Sequence, residues 1–313
     1  MRSIVLEKSG GGENFKLVDI DKPLLTENEV LIETKAISIN PVDAKIKYSE
    51  EGLSGLVSPE RPITLGWDVA GKVVAVGNKV SKYVIGDLVF GMVNFPGHGK
   101  AYAEYVAADE SQLASIPPGI SFTDAAVTTL AALTALQALK NNVKAGDKVL
   151  IHAGSGGVGH FAIQIAKKMG AYVFATSSAK NREFVLSLGA DQHIDYRTQA
   201  FEEILTDINF VFDTQGEQIA TKSLQVMSAG GKLVSIAMIE IPKILQQQAK
   251  KLTLTVQAML VNSNGDDMAW LASLLAEGSL KPHVSTVFKF TEMVEAHAAI
   301  ESGRTVGKIA LTM

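Results

Sequence analysis

The chain has 313 residues, 47% of them hydrophobic and 20% charged, with a formal net charge of −4. This is the composition of a globular protein with room for one large or two ordinary domains. No basic run exceeds two residues, which argues against nucleic acid or an acidic membrane as the main partner. Cysteine is absent, which excludes disulfides, thiolate catalysis and cysteine-based metal sites. The first residues are charged too early for a signal peptide, and no uncharged apolar run reaches the ~18 residues of a membrane span. The expected location is the cytoplasm.

Residues 1–120 carry short apolar runs at 4–6, 15–20, 30–39, 69–76, 88–93 and 102–107, separated by Gly, Pro, Asn and Asp. This pattern predicts a β-rich region, with one helical turn near 42–47. Pro117-Pro118-Gly119 breaks the chain. Ser121 and Asp124 then mark a helix start, and the run 125–139, apolar on nearly every side, predicts one buried helix.

Beyond it, strands are expected at 149–153, 172–176, 192–195, 208–213 and 233–237, alternating with helices at 158–169, 181–188, 219–227 and 243–251. Such alternation predicts a parallel sheet covered on both faces. Residues 252–261 form another strand, either internal or paired with its twin across a dimer axis. A helix at 266–277, strands at 284–290 and 307–311, and a helix at 292–301 return to β-rich material. The expected domains are 1–121, 122–262 and a return segment, 263–313, that completes the first.

The most informative stretch is residues 148–176. An apolar strand leads into Gly154-Ser155-Gly156-Gly157-Val158-Gly159, a G-x-G-x-x-G turn, and a helix follows. The first glycine permits the sharp turn, the second lets a pyrophosphate approach the backbone, and the third lets helix and strand pack closely. The anion rests on the N–H groups of the turn and helix start, including those of Ser155, Gly157 and Val158. In this strand–turn–helix–strand context the motif predicts dinucleotide binding.

NAD-selective sites carry an acid about 20 residues after the glycines. Here Ser177, Ser178, Lys180 and Arg182 occupy that stretch, and no acid precedes Glu183. Hydroxyls and cations suit a 2′-phosphate, so NADPH is expected over NADH. Asp213 and Ile236 fall at the C-terminal ends of predicted strands, where open α/β sheets bind ligands.

Several stretches together resemble the medium-chain dehydrogenase/reductases: Asn40-Pro41-Val42-Asp43, Leu65-Gly66-Trp67-Asp68-Val69-Ala70-Gly71, Gly86-Asp87-Leu88-Val89-Phe90, the glycine turn, and Leu188-Gly189-Ala190-Asp191. The resemblance spans nearly the whole chain and is nearest to the zinc-free quinone oxidoreductase branch. It implies an α/β protein with a chaperonin-10-like β-rich catalytic domain and a Rossmann-type doubly wound parallel sheet. Asn40 and Trp67 stand where the zinc alcohol dehydrogenases place metal ligands, so no metal is expected. The implied reaction is hydride transfer from NADPH to a quinone or another conjugated carbonyl, in a homodimer. An enone or alkenal double-bond reductase, or a non-enzymatic NADPH-binding sensor or structural protein, would share the fold.

On the same resemblance, Asn40 is the leading donor to the acceptor oxygen. Asp43, Lys45 and Tyr48 border the pocket, with Lys45 or Tyr48 as proton donor. Thr128 or Thr129 contacts the nicotinamide end, and Tyr196 covers the adenosine 2′-phosphate. His152 is read as a packed residue of a buried strand.

Overall fold

The structure is a computed structural model that describes residues 1–313. The chain forms two compact units, residues 1–133 with 261–313, and residues 134–260.

The first unit is built on the long strand Glu29–Ile39, almost every residue of which is at least partly buried. Asp68–Val76 pairs antiparallel along one side of it. On the other side Tyr105–Asp109 takes one end and the C-terminal strand Lys308–Thr312 takes residues 36–39. Val284–Lys289, Leu88–Met92 and Ala114–Ser115 complete a seven-stranded sheet. The returning segment therefore supplies two strands of the first unit's main sheet. Arg2–Leu6, Phe15–Asp19 and Ile63–Thr64 form a smaller sheet.

The helical turn expected near residue 42 is the helix Pro41–Ile46. Pro41 suits its first position, because the missing N–H would have no partner there. Asn40 precedes it in extended conformation, and Asp43 Oδ2 accepts from the Asn40 backbone N–H at 2.8 Å. This is half of a capping box.

The second unit is a six-stranded, wholly parallel sheet. Its strands run in the order Gln192–Asp195, Tyr172–Ser177, Lys148–Ile151, Ile208–Asp213, Met227–Ser235, Thr255–Ala258. Numbered along the chain, this is the doubly wound order 3-2-1-4-5-6, whose ligands bind beyond the carboxyl ends of the central strands. The central strands are apolar without alternation, as burial on both faces requires. Residues 252–261 narrow to the edge strand Thr255–Ala258, parallel to its neighbour.

Two expectations are corrected. The single buried helix at 125–139 is two, Phe122–Val127 and Leu130–Leu139. Thr128 and Thr129 turn their hydroxyls back onto the carbonyls of Asp124 and Ala126, each at 2.7 Å, which competes with helix continuation. Leu130 N–H then bonds Asp68 Oδ1 at 3.0 Å, a capping partner from a distant strand that no local pattern announces. The boundary expected at residue 122 falls instead after Leu133, because Phe122–Val127 packs on strands Glu29–Ile39 and Asp68–Val76 of the first unit.

Candidate functional site

In the second unit, strand Lys148–Ile151 opens into the glycine turn, and helix Gly159–Lys168 starts beyond it. The glycines divide by what surrounds them. A Cβ on Gly159 would lie 2.2 Å from the Ala153 carbonyl oxygen, and one on Gly154 would lie 2.9 Å from the Ala175 Cβ. Those two are glycines because strand and helix pack without room for more. A Cβ on Gly156 would meet only the Ala153 carbonyl, at 3.2 Å. Its bare face leaves a cradle that a ligand backbone can approach. The amides of Gly157 and Val158 have no acceptor in the chain, as an anion-binding helix start requires. These residues fit a dinucleotide pyrophosphate.

Around the end of strand Tyr172–Ser177 the structure gathers several of the expected residues. Ser177 and Ser178 are buried, whereas Lys180 and Tyr196 are exposed. Asn181 Nδ2 donates to Ser155 Oγ at 3.0 Å, which ties this turn to the glycine turn. The Tyr196 N–H reaches the Ser177 carbonyl at 3.3 Å.

Asp213 departs from expectation. Its carboxylate accepts from Ser235 Oγ (2.6 Å) and from the N–H groups of Gln215 (2.9 Å) and Gly216 (3.1 Å). It holds its own loop in shape and is not free for a ligand. The N–H of Ile236 bonds the Asp213 carbonyl at 3.0 Å, so Ile236 belongs to the same anchor. His152 is packed as expected. Its Nε2 lies 2.9 Å from Ser223 Oγ, and burial pushes its pKa down to about 3, so the ring is neutral. A polar cavity of about 640 Å³, bordered by Asp147, Asn209 and Lys232, lies at the opposite, amino-terminal end of the strands from the glycine turn.

In the first unit, Asn40 is buried, and its amide is held from both sides. Nδ2 donates to Asp68 Oδ2 at 2.7 Å, and Oδ1 accepts from Lys308 Nζ at 2.5 Å. Lys308 also donates to the Ile39 carbonyl at 3.0 Å and stands 3.9 Å from Asp68 Oδ2. Asp68 and Lys308 are themselves buried. One amide hydrogen of Asn40 is thus committed to Asp68, while a primary amide carries two.

Asp43 closes the cluster. Its Oδ2 caps the helix, and its buried Oδ1 has no partner at hydrogen-bonding distance. The Tyr102 hydroxyl faces it but makes its bond to His297 Nε2, at 3.1 Å. Burial first, then the neighbouring Asp68 charge, raises the Asp43 pKa to about 7, against smaller opposing effects from the Asn40 N–H, Lys308 and the Tyr102 hydroxyl. Burial likewise pushes His297 down to about 3 and Tyr102 well above its ordinary value.

A carboxyl that prefers its proton in the folded state costs stability as pH rises. The cost is absent below the unfolded pKa near 4, grows between there and about 7, and is constant above. Asp43→Asn keeps an oxygen for the Asn40 N–H and removes the charge. Its expected gain is nil at pH 4 and roughly 2 kcal/mol at pH 8, measured as a shift in urea midpoint. Equal effects at both pH values would refute this account.

Lys45 and Tyr48, expected to border the pocket as proton donors, stand apart from this cluster. Lys45 is exposed. The Tyr48 hydroxyl donates to Glu301 Oε2 at 3.3 Å, and the buried ammonium of Lys47 pairs with the other oxygen of Glu301. That arrangement fastens helix Pro41–Ile46 to helix Met293–Glu301. The Thr128 hydroxyl is turned onto its own helix. Sequence reasoning missed Asp68, Tyr102, His297 and Lys308 as site residues. The available signal was a charge at the head of an apolar strand, Asp68 before Val69-Ala70 and Lys308 before Ile309-Ala310-Leu311, since charges are rarely buried unless paired.

No group of three or more His, Asp or Glu side chains lies close enough to hold a metal ion. At the positions compared with zinc ligands stand the Asn40 amide and the Trp67 indole, whose Nε1–H donates to the Gly97 carbonyl at 2.7 Å. These donors do not fit Zn²⁺.

Comparison with known proteins gives two family matches: an alcohol dehydrogenase GroES-like domain over residues 26–118 and a zinc-binding dehydrogenase domain over residues 188–311. The chain is 33% identical to an NADPH-dependent alkenal/one oxidoreductase of Arabidopsis thaliana, over 99% of this chain and 79% of that one. It is 32% identical to a chloroplastic quinone oxidoreductase of Triphysaria versicolor, over 99% and 98%. The solved quinone oxidoreductase of Coxiella burnetii superposes with a TM-score of 0.93 at 35% identity, covering 100% of this chain and 99% of that one.

Proposed function

The chain belongs to the quinone oxidoreductase branch of the medium-chain dehydrogenase/reductase superfamily, and from that membership we propose an NADPH-dependent, zinc-independent reductase of quinones and other conjugated carbonyls. As a member it is an NAD(P)H-dependent oxidoreductase. The observation that carries the cofactor preference is the end of strand Tyr172–Ser177. Ser177 and Ser178 stand where an NAD-selective site would place a carboxylate, with Lys180 and Arg182 beside them. A carboxylate there would repel a 2′-phosphate, whereas hydroxyls and cations attract it.

Bound nicotinamide supplies the hydride. The chain's own part is to bind and orient. The bare face of Gly156 and the amides of Gly157 and Val158 receive the pyrophosphate, and Tyr196 covers the 2′-phosphate end. Asn40 keeps one amide hydrogen for the acceptor oxygen, where negative charge develops. Asp68 and Lys308 fix the amide so that no reorganisation is needed at that moment. With an uncharged donor and no Lewis acid, the chemistry favours acceptors that are already electrophilic, quinones and enones, over oxidation of alcohols.

The enzyme works in the cytoplasm as a homodimer. Strand Thr255–Ala258 is the sheet's edge, and Leu252 and Leu260 beside it are 49% and 56% exposed. An edge of this kind needs a cover, and its twin is the symmetric choice.

The test is a two-by-two assay, NADPH or NADH with 9,10-phenanthrenequinone or a simple enone. The expected result is turnover of at least one acceptor, with kcat/KM for NADPH about tenfold or more above NADH, the equivalent of roughly 1.4 kcal/mol. Preference for NADH, or turnover of neither acceptor, would reject the reading. A clear preference for the enone would place the enzyme with the double-bond reductases.

A further inference from the structure

His193 lies on the outermost strand of the parallel sheet, Gln192–Asp195, with its Nε2 2.8 Å from Ser177 Oγ. Ser177 is the last residue of its own strand, at the position where cofactor selectivity is set. The pairing puts Ala175 opposite His193 and Ser177 opposite Asp195, so the imidazole reaches forward from two residue pairs behind the strand end. The ring is part-exposed.

We propose that His193 couples proton uptake to binding of the 2′-phosphate, so that preference for the phosphorylated cofactor strengthens as pH falls toward 6.5. The inference rests on the NADPH assignment above. Its physical basis is the Ser177 hydroxyl, which has one hydrogen and two neighbours. That oxygen lies 2.8 Å from His193 Nε2 and 3.2 Å from the Ser178 carbonyl. While the ring is neutral, with its lone pair at Nε2, the hydroxyl hydrogen is drawn toward it. Once the ring is protonated, Nε2–H donates to Ser177 Oγ and releases the hydroxyl hydrogen for an incoming anion. The imidazolium adds a positive charge one hydrogen bond behind the phosphate.

The groups facing the ring set its resting state. Burial holds the pKa below its ordinary value and the Arg182 charge lowers it further, while Asp195 on its own strand and the carbonyls of Ser177 and Ser178 favour the charged form. The free protein therefore holds a neutral ring at pH 7. A dianion beside Ser177 raises the ring's pKa, and the proton is taken up between the free and bound values.

Calorimetric titration of the full chain at pH 7.0, in two buffers of different ionisation enthalpy, measures this directly. The probes are 2′,5′-ADP and 5′-AMP, which differ only in the 2′-phosphate. Wild type is expected to take up a fractional proton with 2′,5′-ADP and none with 5′-AMP. His193→Gln, which can still hydrogen-bond Ser177 but carries no charge near neutral pH, is expected to take up none. It should also lose up to about threefold in preference for 2′,5′-ADP at pH 7.0, the share of a one-unit coupling that is expressed where the free ring is neutral. His193→Val should behave likewise. Tight 2′,5′-ADP binding without proton uptake in wild type, or uptake unchanged in both variants, overturns the inference and leaves the NADPH assignment standing. Equal affinity for the two probes overturns both.

Discussion

Replacing Lys308 by Met is expected to cost about 3–5 kcal/mol of folding stability at pH 7. The ammonium is 3% exposed and lies among the Asn40 amide, the Ile39 carbonyl and the Asp68 carboxylate, all buried. Burial lowers its pKa, while Asp68 and Asp43 raise it. Met fills the volume but leaves Asp68 charged, with only the Asn40 amide and the Leu130 N–H to hold it. An uncompensated buried charge is what makes such deletions expensive. The partner test is Lys308→Met with Asp68→Asn, which removes both charges and is expected to restore most of the loss. Urea unfolding of the two variants and of Asp68→Asn completes a double-mutant cycle. A single-variant loss under about 1 kcal/mol, or a double variant no better than Lys308→Met, would show that the cluster is not a charge pair.

The same cluster shows where sequence reasoning stops. The parallel sheet and its glycine turn were legible because both rest on local rules: apolar runs of strand length, a helical period, and glycines at fixed spacing. The strands Gln192–Asp195 and Ile208–Asp213 and the helix Lys243–Lys251 have the expected bounds. The break at Thr128 was only half legible: the two threonines that turn back onto their own helix are local, but Asp68, which caps the second helix at Leu130, is 62 residues away. Asn40 could be singled out, but not what grips it. Lys308 is 268 residues further along and reaches Asn40 only because strand Lys308–Thr312 pairs with residues 36–39. Lys45 and Tyr48 stand apart from the Asn40 cluster for a local reason. Along a helical turn, neighbours at one and two residues' spacing face different ways. Asp43 and Lys47 are buried while Lys45 and Tyr48 are exposed.

Asn40→Ala tests the proposed chemistry most sharply. The variant removes the donor assigned to the acceptor oxygen, so turnover of whichever acceptor the assay identifies is expected to fall about 10²-fold or more. The Kd for NADPH should stay unchanged, because no cofactor-binding group is altered. Stability separates this from a purely structural role. Loss of the bridging amide leaves Lys308 and Asp68 as near neighbours of opposite charge, 3.9 Å apart, able to close on each other. The expected destabilisation is therefore about 1–2 kcal/mol, below that of Lys308→Met. A fall in kcat at unchanged NADPH affinity, in a variant still folded at assay temperature, assigns Asn40 to the transition state. Full activity in the folded variant would remove it from the mechanism. It would leave the Asn40–Asp68–Lys308 cluster as a device for joining the C-terminal strand to the rest of its sheet.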